Sequence, residues 1–161
     1  MAYECLHTMK KKKKWKIETC AVKLDMHKAY DRVEWCFLEK VLLRLGFRPS
    51  WVALIMECVK SVRYQVRVNN DLSDYFVPSR GLRQGDPLSP YLFLLCAEGL
   101  SSLITHEQEA GNLLGVRVCR DAPPVSHLLF ADDSLFLMRA DAANANSLRR
   151  ALDNYCAASG Q

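Results

Sequence analysis

Two short apolar runs hinged on a pair of acids, Val125-Ser126-His127-Leu128-Leu129-Phe130-Ala131-Asp132-Asp133-Ser134-Leu135-Phe136-Leu137-Met138, constrain this chain more than any other stretch. Runs of this length, rich in Leu, Phe and Val and broken by a two-residue Asp-containing turn, read as a β-hairpin with Asp132 and Asp133 at its tip. Adjacent Asp residues in a turn mean little alone, because Asp bonds its own backbone and tolerates turn dihedrals. They gain chemical meaning from a further acid, Asp25, placed in the same manner at the end of Thr19-Cys20-Ala21-Val22-Lys23-Leu24-Asp25, and from a Gly-Pro-rich turn between the two sites.

The 161 residues, half of them hydrophobic, fit one domain with a real core and leave little room for a second. No secretory segment opens the chain, and its longest apolar run, Leu92 to Ala97 with its flanks, falls far short of the ~20 residues of a membrane span, so a soluble chain is expected. The seven cysteines are scattered, odd in number and never in C-x-x-C spacing, which argues against a disulfide framework or a zinc site. They read as mostly reduced core residues of an intracellular protein. His7, His27, His106 and His127 lack ligand spacing and read as solvent-facing or satisfied. The net charge of +4 is concentrated at one end: residues 1–23 carry seven lysines against two glutamates, and the remainder sums to −1. The run Lys10-Lys11-Lys12-Lys13-Lys14 is compatible with a solvated helix end, a nuclear-import signal or contact with a phosphate backbone.

In chain order, Met1 to Lys14 fits a helix with Tyr3, Leu6 and Met9 on its apolar face, and Thr19 to Asp25 a buried strand. Asp31 to Leu45 fits a helix opened by an Asp31/Glu34 capping box and stopped by Gly46. Ser50 suits the cap of another, with Trp51, Leu54, Ile55, Cys58 and Val62 inward. From Arg63 the period switches to two, and Asn69-Asn70-Asp71 turns the chain into Asp74-Tyr75-Phe76-Val77, an antiparallel hairpin with one wet face. Gly81 to Pro90 is a turn-rich loop ending in a Ser89-Pro90 helix start. Tyr91 to about Glu109 is a long helix, apolar nearly all round at first and so buried. Gly115 to Cys119 follows as a short strand, and Asp141 to about Ala157 as an amphipathic helix using Leu148, Leu152 and Tyr155.

Asp25, Asp132 and Asp133 would present oxygen ligands at one sheet edge, with no nitrogen or sulfur donor nearby. Hard divalent cations such as Mg²⁺ take such sites and complete their octahedra with water and substrate phosphates. Two of them ~3.5–4 Å apart clamp the attacking and leaving oxygens of an in-line phosphoryl displacement. No Ser/His/Asp triad is visible, and Gly81 to Gly85 lacks the Gly-Lys-Ser/Thr ending of a Walker-type phosphate cradle.

The stretches Lys23-Leu24-Asp25-Met26-His27-Lys28-Ala29-Tyr30-Asp31-Arg32-Val33, Gly81-Leu82-Arg83-Gln84-Gly85-Asp86-Pro87-Leu88-Ser89-Pro90 and Phe130-Ala131-Asp132-Asp133 resemble the A, B and C motifs of reverse transcriptases, in order and spacing, closest to those of non-LTR (LINE-type) retrotransposons. The resemblance runs over essentially the whole chain. It implies an α+β fold, a right-hand polymerase palm (antiparallel sheet with packed helices) with part of the fingers, truncated at both ends; residues 1–161 would form one partial reverse transcriptase domain. It implies RNA-directed DNA synthesis by two-metal nucleotidyl transfer to a primer 3′-hydroxyl. Asp25 and Asp132 would be metal ligands, Asp133 the third catalytic acid and further ligand, and the Met26 carbonyl a further contact to two Mg²⁺ (or Mn²⁺) ions. Tyr30 matches the gate against a ribose 2′-hydroxyl, and Arg83, Gln84 and Gly85 the loop that touches the templating pair and the incoming nucleotide. Asp31 reads as a helix cap rather than a fourth ligand, Asp86 as a cap or turn residue, and Arg32 as either a contact to Asp or nucleic acid or an exposed first-turn residue.

The partners so implied are an RNA template, a DNA primer and deoxynucleoside triphosphates, with no membrane, in an intracellular and, if functional, nuclear setting. The family's basic fingers residues would lie before Met1 and its Asn/Lys palm motif past Gln161. Thumb and endonuclease regions would belong to a complete element. Positioning supplies ~7–11 kcal/mol of such barriers, so little or no activity is expected of the isolated chain. The alternative is a non-catalytic nucleic-acid-binding or structural remnant of a retroelement, using Lys10 to Lys14 on phosphates. A metal-dependent phosphohydrolase would leave Tyr30 and Gln84 without purpose.

Overall fold

The computed structural model describes residues 2–11, 18–119 and 121–161. Its elements are α1 (Ala2–Lys11), β1 (Thr19–Asp25), α2 (Ala29–Arg32), α3 (Trp35–Arg44), α4 (Pro49–Lys60), β2 (Arg67–Val68), β3 (Asp71–Leu72), α5 (Ser89–Glu109), β4 (His127–Phe130), β5 (Asp133–Arg139) and α6 (Ala142–Ser159). They fall into two compact units, Met1–His27 with Ala97–Ala157, and Lys28–Cys96 with Ala158–Gln161. Among the described residues no helix is long and apolar enough to cross a membrane.

The first unit is built on an antiparallel sheet in the order β1-β5-β4. The expected hairpin is β4 and β5, joined by Ala131-Asp132, with Asp133 already in the ladder opposite Phe130. Alternation divides β5 cleanly: Ser134, Phe136 and Met138 are buried on one face, opposite Leu24, Val22 and Cys20 of β1. On the other face Leu137 forms a cluster with Cys5 of α1 and Val116, against which Met9, Val118, Val125, Leu128 and Leu135 pack. The inward face of α1 is therefore Cys5 and Met9, one helical turn apart, rather than Tyr3 and Leu6, which are exposed. Gly115 to Cys119 makes a single bridge, Val116 to Val125, in place of the expected strand. His127 is a satisfied histidine: Nε2 lies 2.9 Å from Ser101 Oγ and Nδ1 2.9 Å from Ser126 Oγ, and burial holds its pKa below the usual imidazole range. At the head of α6 the Asp141 carboxylate accepts the Asn144 N–H at 2.8 Å, and Leu148 and Tyr155 are buried as the helical period requires.

In the second unit the helix expected over Asp31 to Leu45 is interrupted at Val33 and Glu34. Val33 is extended with ψ 116, Lys28 before α2 is left-handed, and no side chain caps either helix. Tertiary hydrogen bonds override the capping-box pattern. The Val33 carbonyl accepts Gly81 N–H at 2.8 Å, the Tyr30 carbonyl accepts Leu82 N–H at 2.8 Å, and Glu34 N–H donates to Ser159 at 2.9 Å. Trp35 Nε1 donates to the Gly81 carbonyl at 2.8 Å. These acceptors are lost to an unbroken helix, so the chain bends where the loop docks. Helix α4 starts one residue before the expected cap, with Pro49 in its first turn after Arg48. Its inward face is Val52, Ile55 and Met56, and it packs against α3, which buries Leu38 and Leu42. Trp51, Leu54 and Cys58 are exposed, and Trp51 stacks on Phe47 instead, at 4.6 Å between ring centroids.

The expected hairpin after Arg63 forms, but in shortened form. β2 and β3 pair over two residues each, with a further bridge at Tyr64 and Phe76. Asn69 and Asn70 both have positive φ, the two-residue I′ geometry that Asn tolerates. Helix α5 buries Leu92, Phe93 and Cys96 and leaves Tyr91 and Leu94 exposed, so its first turns are one-sided rather than buried all round. All seven cysteines are free. Only Cys5 and Cys96 are buried, and Cys36, Cys58, Cys119 and Cys156 are exposed, which corrects the core reading for most of them. Burial pushes the Cys96 thiol up to about 12.

Gly81 carries the docking of its loop, and its conformation excludes a side chain: φ is +91, and a Cβ would lie 2.8 Å from the Asp31 carbonyl oxygen. Gly46 has φ +89 with open space around it. Gly46→Ala therefore meets only left-handed strain, about 1–2 kcal/mol, whereas Gly81→Ala adds a backbone clash. In urea denaturation followed by far-UV circular dichroism, Gly81→Ala should lower the midpoint clearly more than Gly46→Ala. Equal shifts would show that the close approach at Gly81 does not matter.

Candidate active site

The three acids meet at one end of the sheet because of its register. Asp25, the last residue of β1, pairs with Asp133, the first of β5. Directly opposed residues of an antiparallel pair have Cα atoms ~4.5–5.5 Å apart and side chains on the same face. Asp132 occupies the adjoining turn, and the Met26 N–H donates to its carbonyl at 3.1 Å, so the ladder continues one step past Asp25 and ties Met26 to the Asp132 turn. Ala131, the first turn residue, has φ 52, a strained left-handed backbone where glycine is usual, held by the strands on either side. Asp25 and Asp132 are exposed, and Asp133 and Met26 half-buried.

Sequence reading gave no role to Lys23. Alternation places it on the same face as Asp25, and its partner in the register is Leu135, two residues along β5 from Asp133. A diagonal neighbour of that kind is within reach of a long side chain, and Lys23 Nζ lies 2.9 Å from Asp133 Oδ1. The hydrogen bond and charge of Asp133, then the charges of Asp25 and Asp132, hold the Lys23 ammonium above the usual lysine range. The signal was present in the sequence as a lysine two residues before a strand-end acid.

Carboxylate oxygens without nitrogen or sulfur are the donor chemistry a hard divalent cation takes. Among the described residues no three His, Cys, Asp or Glu side chains stand gathered as a ready-made metal site, and Asp133 bonds Lys23 instead. The donor types fit such an ion, and closure of the ligand set would require Asp133 to exchange its partner.

The residues expected at the nucleotide lie in the second unit. Tyr30 stacks on Phe93 with centroids 5.0 Å apart and planes inclined 17°, which fixes its ring. Tyr30, Gln84, Gly85, Asp86, Ser89 and Pro90 line one open cavity of about 460 Å³. Arg83 lines a neighbouring one with Asp31, Gln84 and the Tyr64 and Phe76 rings. Gln84 Nε2 reaches Asp31 Oδ1 at 3.4 Å, a long contact at an exposed site. Asp31 lies inside α2 rather than at its cap. Asp86 is a turn residue, its carboxylate accepting the Leu88 N–H at 2.8 Å. Arg32 Nε donates to the Gly160 carbonyl at 2.8 Å, a structural tie. Lys10 is exposed at the end of α1, which Lys11 closes, and Lys12, Lys13 and Lys14 lie outside the described residues.

A family model described as reverse transcriptase (RNA-dependent DNA polymerase) matches residues 2–161. The chain belongs to the reverse transcriptase family. The chain is 57% identical over 67 residues to an uncharacterized mitochondrial protein of Arabidopsis thaliana, covering 42% of this chain and 55% of that protein. It is 28% identical over 127 residues to the Pol polyprotein of the type-1 retrotransposable element R2 of Popillia japonica, covering 79% and 20%. It is 32% identical over 120 residues to the transposon TX1 149 kDa protein of Xenopus laevis, covering 73% and 9%. The chain thus spans about half the length of the first of these relatives and a fifth or less of the two retroelement proteins. The sheet and its helices resemble apo telomerase of Candida tropicalis with a TM-score of 0.62 at 16% identity, covering 94% of this chain and 30% of that one. That likeness shows the fold, a polymerase palm of antiparallel strands with packed helices.

A reverse transcriptase palm that brings like charges directly opposite each other sacrifices stability there. Asp133 has Lys23 as a partner and Asp25 does not share that contact. Asp25→Asn should therefore raise the melting temperature at low salt with EDTA present, by about 1–3 °C, and Asp133→Asn should raise it less. A lower melting temperature for Asp25→Asn would show that its carboxylate is a structural rather than a strained group.

Proposed function

We propose that this chain forms the palm core of an RNA-directed DNA polymerase of the non-LTR retrotransposon type. The observation that carries the reading is the Asp25–Asp133 register with Asp132 in the adjoining turn, within a chain matched throughout by the reverse transcriptase family. Asp25, Asp132 and Asp133 would hold the two divalent ions that such polymerases generally use, with the Met26 carbonyl as a further contact. When bound, these ions neutralise charge on the attacking and leaving oxygens of phosphoryl transfer. The chain's own contribution is placement. The sheet end fixes the carboxylates relative to one another, Phe93 holds the Tyr30 ring where it would exclude a ribose 2′-hydroxyl, and Gln84 and Gly85 share the Tyr30 cavity, where they would meet the base pair being formed. The exposed end of α1 and the lysines that follow suit the phosphates of an RNA template and DNA primer. A related telomerase structure is described in complex with a fragment of telomeric RNA, which supports a nucleic-acid partner by analogy. A nuclear setting belongs to the same reading.

Charge stabilisation accelerates transfer only when primer hydroxyl and triphosphate are already aligned. The chain alone should therefore show no template-directed DNA synthesis above background. Primer extension on an RNA template with Mg²⁺ tests this, comparing the chain, its Asp132→Asn variant and a longer protein carrying the flanking regions of the retroelement relatives. Extension by the longer protein, lost with Asp132→Asn, is the expected result. Robust extension by the short chain, also lost with Asp132→Asn, would show that these motifs suffice without flanks. Activity of the longer protein that survives Asp132→Asn would remove the catalytic reading and favour nucleic-acid binding without turnover.

A further inference from the structure

Among the described residues, Lys23 is the basic group that contacts the acid cluster. Its position follows from strand alternation, which aligns it with Asp25 on one face, and from the register, which sets Asp133 diagonally across the ladder. The contact is charge-assisted and short, 2.9 Å from Nζ to Asp133 Oδ1, between side chains that are 67% and 48% exposed. The ammonium also feels the charges of Asp25 and Asp132. A single positive charge thus offsets three carboxylates that would otherwise repel one another. Both partners reach solvent, so the lysine stem is free to swing away without unpacking the sheet, and Leu135 beneath it belongs to the cluster that α1 covers.

We propose that Lys23 is the resident counter-cation of this cluster, and that a divalent cation must displace its ammonium from Asp133 in order to bind. Lys23 thereby stabilises the metal-free site and lowers its affinity for divalent ions. The inference rests on the metal reading of Asp25, Asp132 and Asp133 given above. No covalent bond is made or broken in the exchange: carboxylate oxygens replace water on the incoming ion, and the ammonium leaves Asp133 for water. Because the site is open, the competition is electrostatic and weakens as salt rises.

Calorimetric titration of Mn²⁺ into the full chain at low ionic strength, with the loss of the free Mn²⁺ paramagnetic resonance signal as a second readout, tests the exchange. Lys23→Met should bind Mn²⁺ about three- to tenfold more tightly than the unmodified chain, since an exposed charge beside a divalent ion is worth a modest factor. Lys23→Gln should gain as much, Lys23→Arg should stay within about twofold, and the gain should shrink at high salt. Asp25→Asn should weaken binding in every background. If Asp25→Asn weakens binding but Lys23→Met and Lys23→Gln leave it unchanged or weaker, the counter-cation role is wrong and the metal reading stands. If Mn²⁺ binds indifferently to Asp25→Asn, or binds none of these chains, the metal reading fails and the role of Lys23 with it.

Discussion

The chemistry open to this chain depends on one register, β1 against β5. Side chains alternate along a strand, so a slip of one residue would carry Asp25 to the opposite face from Asp133 and abolish the cluster. What holds the register is apolar burial on the far face, where Phe136 and Met138 are almost wholly buried opposite Val22 and Cys20. On the near face Leu137 is sealed by Cys5 and Val116. Displacing the strands would expose these groups, at ~1.5–3 kcal/mol for each large apolar side chain. That exceeds the repulsion between two exposed carboxylates, and so the core wins and the acids are held together. Hydrophobic packing at one end of the sheet thus fixes electrostatics at the other.

The same reasoning separates what could be read in the sequence from what could not. The bounds of β1 and the hairpin of β4 and β5 are legible because short apolar runs ending in acids or turn residues have few alternatives, but β1 is an edge strand with no buried residue rather than the buried strand its apolar content suggests. The break between α2 and α3 is not legible, because Asp31 and Glu34 satisfy a local capping pattern that loses to Gly81, Leu82 and Trp35, whose contacts are distant in sequence. The inward face of α1 is legible only at Met9, because Cys5 counts for little in a hydrophobic pattern although it is fully buried. Helix α4 was read a residue out of phase because Ser50 suggested a cap and Pro49 begins the helix instead. At the candidate site, the motifs single out the three acids, which the register brings to one end of the sheet, and Tyr30, Gln84 and Gly85, which line one cavity. Lys23 was passed over because its partner sits across the ladder rather than along the chain.

The two units carry different parts. The first carries the acids and their counter-ion, on a sheet whose turn stores strain at Ala131. The second carries the Tyr30 cavity, braced by Phe93 and by the loop that Gly81 docks onto α2 and α3. The retroelement relatives are several times longer than this chain, and the proposed polymerase activity is accordingly assigned to the palm as part of a larger protein.

The carboxylates that the β1–β5 register brings to one end of the sheet are proposed to form a divalent-cation site. Crystals of the chain grown with excess Mn²⁺, measured at the manganese absorption edge, test it directly. Anomalous density within bonding distance of the Asp25 and Asp132 carboxylate oxygens, with Lys23 withdrawn from Asp133, is the expected result. Manganese found only elsewhere on the surface, with the Lys23–Asp133 pair intact, would contradict it.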